Sequence, residues 1–453
     1  MANLDNAVKH LREAIAFRTV SNTDETKTDW DEFYRFHAWL RSAYPRTHNA
    51  LQCETVSKAS LLYKWQGKNG KQRPFALLAH MDVVPIEEAT LKDWKHPPFD
   101  GFADETSIWG RGASDMKNQL VALFEAIETL LSENYTPERD IYLCLGHNEE
   151  VQVGEASGAR EMARLLQERG VQFEFVLDEG GAVTDTPFFG LKRPAAMIGL
   201  AEKGYAEIHI AVSGEGGHAA EPPDHTALGN LALAISAVEA NPLKQRLVEP
   251  VSLTLEALGR HMGFFMRFII ANKRFFKPLI LAVLAKDKQT NAMTRTTIAA
   301  TMAEASPAAN VLPQQASALF NVRILPGETA QTAANHIRRV AAKALANRAS
   351  ATVEIVKSAE PVEMRATGRA YGCILRFLPE ILPDIVPVPY LVTGATDSHE
   401  YMRIADEIYR FYPFFISEEE LNAMHATNER IRRESLAGAL RFNYHFIRES
   451  GGK

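Results

Sequence analysis

The sequence FALLAHMD at residues 75–82 decides the fold. Its first five residues are apolar, as in a strand that is buried on both faces of a parallel sheet. The imidazole of His80 follows at once, and the carboxylate of Asp82 comes two residues later. Because ligand sites form at the carboxyl ends of strands in open α/β sheets, we expect His80 at a functional edge of the sheet. A lone His-x-Asp triplet is a weak signal, so its meaning depends on partners elsewhere in the chain.

Strand and helix patterns alternate around this stretch. Residues 141–146 and 173–177 are further short apolar runs, and residues 119–131 place their apolar side chains on one helical stripe. A second helix is predicted at about 157–169, ending at Gly170. The alternation predicts an α/β catalytic domain, with a mostly parallel sheet and helices on both faces.

From about residue 201 the pattern becomes that of a small α+β sandwich. Alternating apolar and polar residues predict a half-exposed strand, and the order that follows is helix, two strands, helix and strand. We therefore predict a catalytic domain at 1–201, an inserted lid or dimerisation-type domain at 202–360, and the return of the catalytic domain at 361–453.

An aromatic-rich insertion interrupts the predicted lid at about 250–290. Charged residues and Pro278 break it into apolar runs far shorter than a membrane span. We expect a partly buried helical insertion. A dimer contact and a platform for an apolar substrate tail are the alternatives.

Composition narrows the classes of function. The 453 residues are 46% hydrophobic and 23% charged, as in a soluble globular protein. A net charge of −6 gives no reason to expect a nucleic-acid or anionic-membrane partner. Three scattered cysteines do not form a disulfide framework, and the first residues lack a secretory pattern, so a cytoplasmic location is expected.

Further acidic and imidazole positions accompany His80. They are Asp115 in a Gly-rich turn before a helix, Glu149 and Glu150 after a predicted strand, Asp178 directly after another, and His425. Imidazole and carboxylate without thiolate suit Zn²⁺, Mn²⁺ or Co²⁺. Two such ions about 3.5–4 Å apart need a bridging carboxylate, and one of two adjacent glutamates can stay free to take a proton. The pattern predicts a two-metal hydrolytic site.

The combined motifs resemble a known family. They are His80-x-Asp82, Gly110-x-Gly112-x-x-Asp115-x-Lys117, Glu149-Glu150, DEGG at 178–181, and the late His425. The set is similar to the dinuclear-zinc peptidase and deacylase family, which includes glutamate carboxypeptidase, aminoacylase, acetylornithine deacetylase and succinyl-diaminopimelate desuccinylase. The branch that it resembles most is carboxypeptidase S and N-fatty-acyl-amino-acid hydrolase. The similarity runs from about residue 14 to 447.

The resemblance implies a metal ligand set. His80 and Asp178 would hold one Zn²⁺ and Glu150 and His425 a second, with Asp115 bridging the two. Mn²⁺ or Co²⁺ are possible substitutes. Glu179 is the alternative to Asp178, since some family members have a single Glu there; Asp178 is preferred because it comes directly off the predicted strand.

The resemblance also implies catalytic and substrate-binding residues. Asp82 would orient His80, Glu149 would be the general base, and His218 in the lid would stabilise the oxyanion. The residues that would grip the free carboxylate of the substrate are Arg323, Asn310, Gly394 and Thr396.

The sequence therefore predicts a metal-dependent hydrolase that cleaves a peptide or N-acyl amide bond next to a free carboxylate. Its substrate would be a small peptide or an N-acyl amino acid, and the chain would be a monomer or a homodimer formed through the lid. One alternative is a dinuclear aminopeptidase, a group that usually lacks the lid residues His218 and Arg323. The other is a catalytically silent binding homologue, which loss of Glu149 or of a ligand would indicate.

Overall fold

The computed structural model describes residues 3–151, 157–185, 191, 193–363 and 368–452. The chain divides into two compact units. The first contains Met1–Leu200, Met364–Pro389 and Thr396–Lys453, and the second contains Ala201–Glu363 and Tyr390–Ala395. Residues 390–395, which the sequence placed in the returning catalytic segment, thus group with the second unit.

The elements are numbered along the whole chain. The first unit contains the helices α1 (Leu4–Ile15), α2 (Trp30–Ala43), α3 (Pro45–Ala50), α4 (Lys117–Ser132), α5 (Gly158–Glu168), α12 (Arg369–Ile381), α13 (Glu418–Ala423) and α14 (Arg433–Gly451). Its strands are β1 (Gln52–Val56), β2 (Ser60–Trp65), β3 (Phe75–His80), β4 (Phe102–Ala103), β5 (Ser107–Trp109), β6 (Ile141–Gly146), β7 (Phe173–Thr184), β17 (Ala405–Ile416) and β18 (Arg430–Arg432). Two further strands, β8 (Ala195–Glu202) and β16 (Val386–Val392), begin in the first unit and have their last residues in the second.

The main sheet of the first unit has the strand order β1-β2-β6-β3-β7-β17-β8, and β16 pairs with β8. The central strands are parallel, since β3 pairs in parallel with β6 and β7, and β17 with β7. The flanking pairs β1–β2, β2–β6 and β17–β8 are antiparallel. Every residue of β3 and β6 is buried, which explains their unbroken apolar sequences.

Apolar cores lie on both faces of this sheet. Phe75, Leu77 and Ala79 of β3 belong to a large core shared with α1, α4 and α14. Ala76 and Leu78 belong to a second core that includes α5. Because successive strand residues point to opposite faces, β3 serves both cores and is fixed from both sides. Its last residue, His80, pairs in register with Gly146 at the end of β6.

The second unit is an α+β sandwich with additional helices. It contains β9 (Gly204–Ser213), β10 (Gly217–His218), α6 (Ala227–Ala240), α7 (Glu249–Gly259), α8 (Phe264–Ala271), α9 (Lys273–Leu284), α10 (Lys288–Ala292), β11 (Thr297–Glu304), β12 (Val311–Leu312), β13 (Gln315–Ile324), α11 (Ala330–Leu345), β14 (Ala351–Ala359) and β15 (Val362–Glu363). Antiparallel strands in the order β11-β13-β9-β14 form its sheet, and α6 and α11 contribute to one apolar core with it.

The predicted fold class is confirmed: a mixed α/β domain with a parallel centre is interrupted by an α+β domain. The aromatic-rich insertion forms α7–α10. Among the described residues, no helix is both long enough and apolar enough to cross a bilayer.

Candidate metal centre

Five of the predicted positions converge at the carboxyl edge of the main sheet. His80 is the last residue of β3, Asp115 lies in the turn before α4, and Glu149 and Glu150 follow β6. His425 joins them from the segment between α13 and β18. Chain segments far apart in sequence therefore supply one cluster of imidazoles and carboxylates.

Asp115 lies between the two imidazoles. Its Oδ1 is 3.1 Å from Nε2 of His80, and its Oδ2 is 2.8 Å from Nε2 of His425. A carboxylate whose two oxygens face two separate imidazoles has the arrangement that a bridging ligand needs. The peptide bond from Asp115 to Met116 is cis.

One further glutamate accompanies each imidazole. Oε2 of Glu150 lies 3.2 Å from Nε2 of His425, and Oε1 of Glu179 lies 3.4 Å from Nε2 of His80. Glu149 also has a carboxylate oxygen within 4.8 Å of ligand atoms of His80 and Glu179. Each imidazole thus shares Asp115 and has a glutamate of its own.

The structure places Glu179 in the cluster in place of the preferred Asp178. Oδ2 of Asp178 instead accepts the backbone N–H of Ser398 at 2.8 Å. The apolar run predicts a strand that ends before Asp178, but β7 continues to Thr184. The pairing of β7 with β17 shifts register between Asp178 and Ala182, and in this irregular stretch the carboxylate of Glu179 lies beside His80 while that of Asp178 faces the backbone of Ser398.

Asp82 hydrogen-bonds both the ring of His80 and the segment that carries Glu149 and Glu150. Nδ1 of His80 lies 3.0 Å from the backbone oxygen of Asp82 and 3.5 Å from Oδ1. The carboxylate accepts the backbone N–H groups of Glu149 at 3.1 Å and Glu150 at 3.2 Å. Since Nδ1 of His80 donates to a carbonyl, Nε2 is the nitrogen whose lone pair can bind a cation when the ring is neutral.

A buried ion pair that the sequence did not reveal fixes the turn at Asp115. Glu429 is completely buried and pairs with Arg111. Its Oε1 accepts the backbone N–H of Ser114 at 2.9 Å and that of Asp115 at 3.2 Å. Arg111 was visible in the Gly-rich turn, but its partner is 318 residues away, and nothing local marks Glu429 as that partner.

Gly146 allows the carboxylate of Asp397 to approach the end of β6. A Cβ atom at this position would lie 2.3 Å from Oδ2 of Asp397. Asp397 is half-buried, and desolvation together with the neighbouring Asp178 raises its pKa well above the usual range. Only glycine fits between this carboxyl group and the strand end.

Burial and like charge perturb the carboxyl groups of the cluster. Burial raises the pKa of Glu149 well above its usual range, and the charges of Glu179 and Glu150 add to this. Burial, assisted by Asp115, raises the pKa of Glu179 to about 7. These groups repel one another and are poorly solvated, so a cation among them would be strongly favoured.

The imidazoles and the shared carboxylate show the opposite behaviour. Burial opposes protonation of His80, yet the carboxylates of Glu179 and Asp115 raise its pKa well above the usual range. Hydrogen bonds with Asp115 and Glu150 raise the pKa of His425 to about 10. Although burial acts to raise the pKa of Asp115, hydrogen bonds with both imidazoles lower it.

The cluster fits divalent metal ions. Its donors are imidazole nitrogen and carboxylate oxygen, the set that Zn²⁺, Mn²⁺ and Co²⁺ accept. Oε1 of Glu150 is buried and has no hydrogen-bond partner among the described residues. An orphaned buried carboxylate oxygen facing this set is a further sign of an ion as its natural partner.

The predicted lid residues belong to the second unit. His218 ends β10 and is exposed, and the backbone N–H of Ala219, next to it, donates to the oxygen of Asn310 at 3.0 Å. Arg323 lies in β13, with its guanidinium carbon 5.0 Å from the ring centre of Tyr205. Its buried Nη1 has no hydrogen-bond partner among the residues that the structure describes.

Gly394 belongs to the second unit, whereas Thr396 belongs to the first. Oγ1 of Thr396 lies 2.7 Å from Oγ of Ser398. The Thr396 side chain also hydrogen-bonds Asp178 and acts to lower the pKa of that carboxyl group. Thr396 and Ser398 therefore both hydrogen-bond the carboxylate of Asp178, and they also contact each other. Its predicted role in substrate binding stays a prediction, as does that of Gly394.

Paired imidazoles and carboxylates around a shared aspartate, at the carboxyl edge of a parallel sheet, define a metal-dependent hydrolase. The model of Peptidase family M20/M25/M40 matches residues 76–449. The chain belongs to this family, which confirms the predicted resemblance.

Two relatives place the chain more closely. It is 34% identical over 447 residues to the probable carboxypeptidase S-like 2 of Dictyostelium discoideum, covering 98% of this chain and 84% of the relative. It is 32% identical over 447 residues to the N-fatty-acyl-amino acid synthase/hydrolase of Mus musculus, covering 97% and 87%. The predicted branch and the predicted class, a hydrolase of peptide or N-acyl amide bonds, are confirmed.

A solved structure shares the fold. The M20 family metallo-carboxypeptidase Sso-CP2 from Sulfolobus solfataricus superposes with a TM-score of 0.69. Sequence identity is 17%, and the match covers 97% of this chain and 98% of the other. This similarity shows that the two chains share a fold.

Proposed function

We propose that this protein is a two-metal hydrolase that removes the residue carrying a free carboxylate from a small peptide or from an N-acyl amino acid. One observation carries the proposal: the two oxygens of Asp115 face the two imidazoles of His80 and His425. That arrangement supports a pair of adjacent cation positions that share one carboxylate.

His80, Glu179 and Asp115 would hold one ion, and His425, Glu150 and Asp115 the other. Glu179 takes the place of Asp178 in this assignment, because Glu179 lies beside His80. Two Zn²⁺ ions suit the donors, with Mn²⁺ or Co²⁺ as substitutes. When bound, such ions polarise the scissile carbonyl and lower the pKa of an attacking water.

Glu149 would be the general base. Its backbone N–H is held by Asp82 at 3.1 Å, which fixes its position at the rim of the cluster. Burial raises the pKa of its carboxyl group, and a base of raised pKa is matched to proton transfer near neutral pH. It would take the proton of the attacking water and deliver it to the leaving amine.

His218 would donate to the oxyanion that develops on the carbonyl oxygen. The backbone N–H of Ala220 donates to its Nδ1 at 3.1 Å, so the neutral ring carries its proton on Nε2. An exposed Nε2–H donor is the group that such a role requires.

Arg323 would bind the free carboxylate of the substrate, with Asn310, Gly394 and Thr396 assisting. The unpartnered Nη1 of Arg323 supports this, because a buried guanidinium nitrogen needs an acceptor. The stacking of Arg323 on Tyr205 would hold the guanidinium group in a fixed orientation.

The names of the two relatives indicate candidate substrate classes for this protein. One relative is carboxypeptidase S-like and the other is an N-fatty-acyl-amino acid synthase/hydrolase, so peptides and N-acyl amino acids are the two candidate substrate classes. An intact ligand set and a retained Glu149 argue against a silent homologue. A cytoplasmic location and a homodimer through the lid stay predictions from the sequence.

The test is a substrate screen on purified protein. Dipeptides and N-acyl amino acids of graded acyl length are assayed after chelation and re-addition of Zn²⁺, Mn²⁺ or Co²⁺. Each substrate is paired with its carboxamide, which lacks the free carboxylate. We expect metal-dependent turnover that the carboxamides lose. Equal turnover of the carboxamides, with a requirement for a free amino terminus, would instead establish an aminopeptidase.

A further inference from the structure

The outer side of α8 and α9 is unusually apolar for a surface. We define the aromatic surface as Phe264, Phe265, Phe268, Phe275, Leu279 and Val283. Their exposed fractions include 86% for Phe264, 71% for Phe265 and 81% for Phe275. Large apolar side chains scattered singly are ordinary on a surface, but a contiguous group of this kind marks an interaction site.

The aromatic surface is continuous across the two helices. The rings of Phe268 and Phe276 have centroids 5.9 Å apart, and those of Phe275 and Phe276 are 5.0 Å apart. Phe275, Leu279 and Val283 follow at intervals of four residues, so they lie along one face of α9. Phe276, which is less exposed than its neighbours, thus connects Phe268 of α8 to Phe275 at the start of this stripe.

The opposite side of the same two helices is anchored within the second unit. Ile269, Ile270, Ile280 and Leu284 are 2–7% exposed. The contact of α8 with α7 is close, since a Cβ atom on Gly259 would lie 3.0 Å from the Ile270 side chain. The aromatic residues are therefore presented outward by helices that are packed on their other side.

Basic residues surround the aromatic surface. Residues 260–288 contain seven Lys and Arg against one Asp, although the whole chain carries a net charge of −6. Arg267, Arg274 and Lys277 are exposed, whereas Lys273 is paired with Glu256 of α7. The local charge is thus opposite to that of the protein as a whole.

We propose that the aromatic surface and its basic surround dock this protein peripherally on an anionic lipid bilayer. Phenylalanine rings on short helices insert at the boundary of headgroups and acyl chains, and Lys and Arg nearby attract anionic headgroups. The whole-chain charge gave no reason to expect such a partner. The local distribution does, because electrostatic attraction to a surface falls off within a Debye length.

Charge argues against a second copy of the chain on this surface, and the high exposure of the rings argues against a substrate tail. In a symmetric contact between two copies the same patch faces itself, so the basic residues of each copy would oppose those of the other. A substrate acyl tail is bound in concave, enclosed sites, whereas Phe264 and Phe275 are more than four-fifths exposed.

The test is co-sedimentation of the purified full-length protein with vesicles, without substrate. Vesicles of phosphatidylcholine alone are compared with vesicles that also contain phosphatidylglycerol. We expect binding to the anionic vesicles that weakens as salt is raised. Since no turnover is measured, the result is independent of the proposed hydrolase activity.

Two sets of substitutions separate the apolar and the electrostatic contributions. Phe264→Ser with Phe265→Ser and Phe275→Ser should abolish binding. Arg267→Gln with Arg274→Gln and Lys277→Gln should weaken it roughly fivefold for each charge removed, since about 1 kcal/mol is gained per basic residue near an anionic surface. Met302→Ser, at another exposed apolar position (59% exposed), and Arg348→Gln are the matched controls and should bind as the parent does.

Failure to bind anionic vesicles, or equal binding to neutral ones, would overturn the proposal. So would retained binding in the triple serine variant, with circular dichroism confirming that it is folded. A dimer that the serine substitutions dissociate, without vesicle binding, would make the surface a contact between copies. A loss of acyl-length preference without vesicle binding would assign it to the substrate. Each of these two results contradicts docking on lipid.

Discussion

His80 and His425 face the same carboxylate, but the fold holds them in different ways. The side chain of His80 is 2% exposed and ends a strand that is packed on both faces. The side chain of His425 is 50% exposed, and its backbone has a φ of 61°, in a segment between α13 and β18. One half of the cluster is thus built into the sheet, and the other is supplied by a loop.

The difference in packing predicts a difference in metal affinity between the two cation positions. Groups locked by packing and by hydrogen bonds keep their geometry, whereas groups on exposed segments are held less precisely. We therefore expect the position at His80 to bind metal more tightly than the position at His425.

Glu149→Gln tests the chemistry without altering either imidazole. The substitution keeps the size of the side chain and removes the base, so turnover should fall by about 10²–10⁴-fold. Metal content, measured by plasma mass spectrometry, should match that of the parent. Glu168→Gln, at an exposed position on α5, is the control and should leave turnover unchanged. Retained turnover in Glu149→Gln would show that another group is the base.

His80→Ala and His425→Ala compare the two halves through stability. Loss of His80 leaves the largely buried carboxylates of Asp115 and Glu179 without a buried partner, which should lower the free energy of unfolding by about 3–5 kcal/mol. Loss of the half-exposed His425 should cost less, about 1–3 kcal/mol, because water can take the place of an exposed partner of Asp115 and Glu150. Urea unfolding in the presence of a chelator measures both. Equal losses would remove the distinction between a packed and a loop-borne half.

Glu179→Gln and Asp178→Asn decide which neighbour is the ligand. Removing a group that only orients a ligand typically costs 10–100-fold in metal affinity, so Asp178→Asn should fall in this range. Glu179→Gln should cost more, because Glu179 faces His80 directly. Competition with a chelator of known affinity ranks the two variants. The reverse order would restore Asp178, the sequence-based choice.

His37 and His147 are buried like His80, but they contact neutral groups. Their ring nitrogens meet the oxygen of Ala59 and the hydroxyl of Ser60. Burial lowers the pKa of both rings from 6.5 to about 4, whereas carboxylates raise that of His80. Between about pH 6.5 and pH 4, these two rings are therefore protonated in the unfolded chain but stay neutral in the folded chain.

The stability that these neutral rings contribute is present above about pH 6.5 and is lost as the pH falls through about 4. Between about pH 7 and about pH 5 the loss should be on the order of 1–2 kcal/mol for each ring. His147→Gln should reduce the difference between unfolding experiments at the two pH values. An unchanged pH dependence in the variant would mean that His147 does not stay neutral.

Much of the cluster could be predicted from the sequence, for a physical reason. His80, Glu149 and Glu150 follow short apolar runs that are typical of buried strands, and parallel strands bring their carboxyl ends to one edge. The choice between Asp178 and Glu179 could not be made in the same way. It depends on which face of β7 each side chain takes, and β7 runs seven residues beyond the predicted end at 177.

Long-range partners were also beyond sequence reasoning. The pairing of Arg111 with Glu429 joins residues 318 positions apart, and the periodicity of neither segment indicates it. The lid order was predicted because strand and helix periods differ locally. The outward orientation of the aromatic surface was not, since an apolar helix stripe has the same sequence whether it is buried or exposed.

The two oxygens of Asp115 face two imidazoles, and we infer that two adjacent cation positions share this carboxylate. The most direct test is the metal-to-protein ratio after dialysis against Zn²⁺, measured by plasma mass spectrometry for the parent, His425→Ala and Asp115→Asn. We expect two ions per chain in the parent, one in His425→Ala, where the packed half remains, and less than one in Asp115→Asn. A single ion in the parent, or an unchanged ratio in Asp115→Asn, would contradict it.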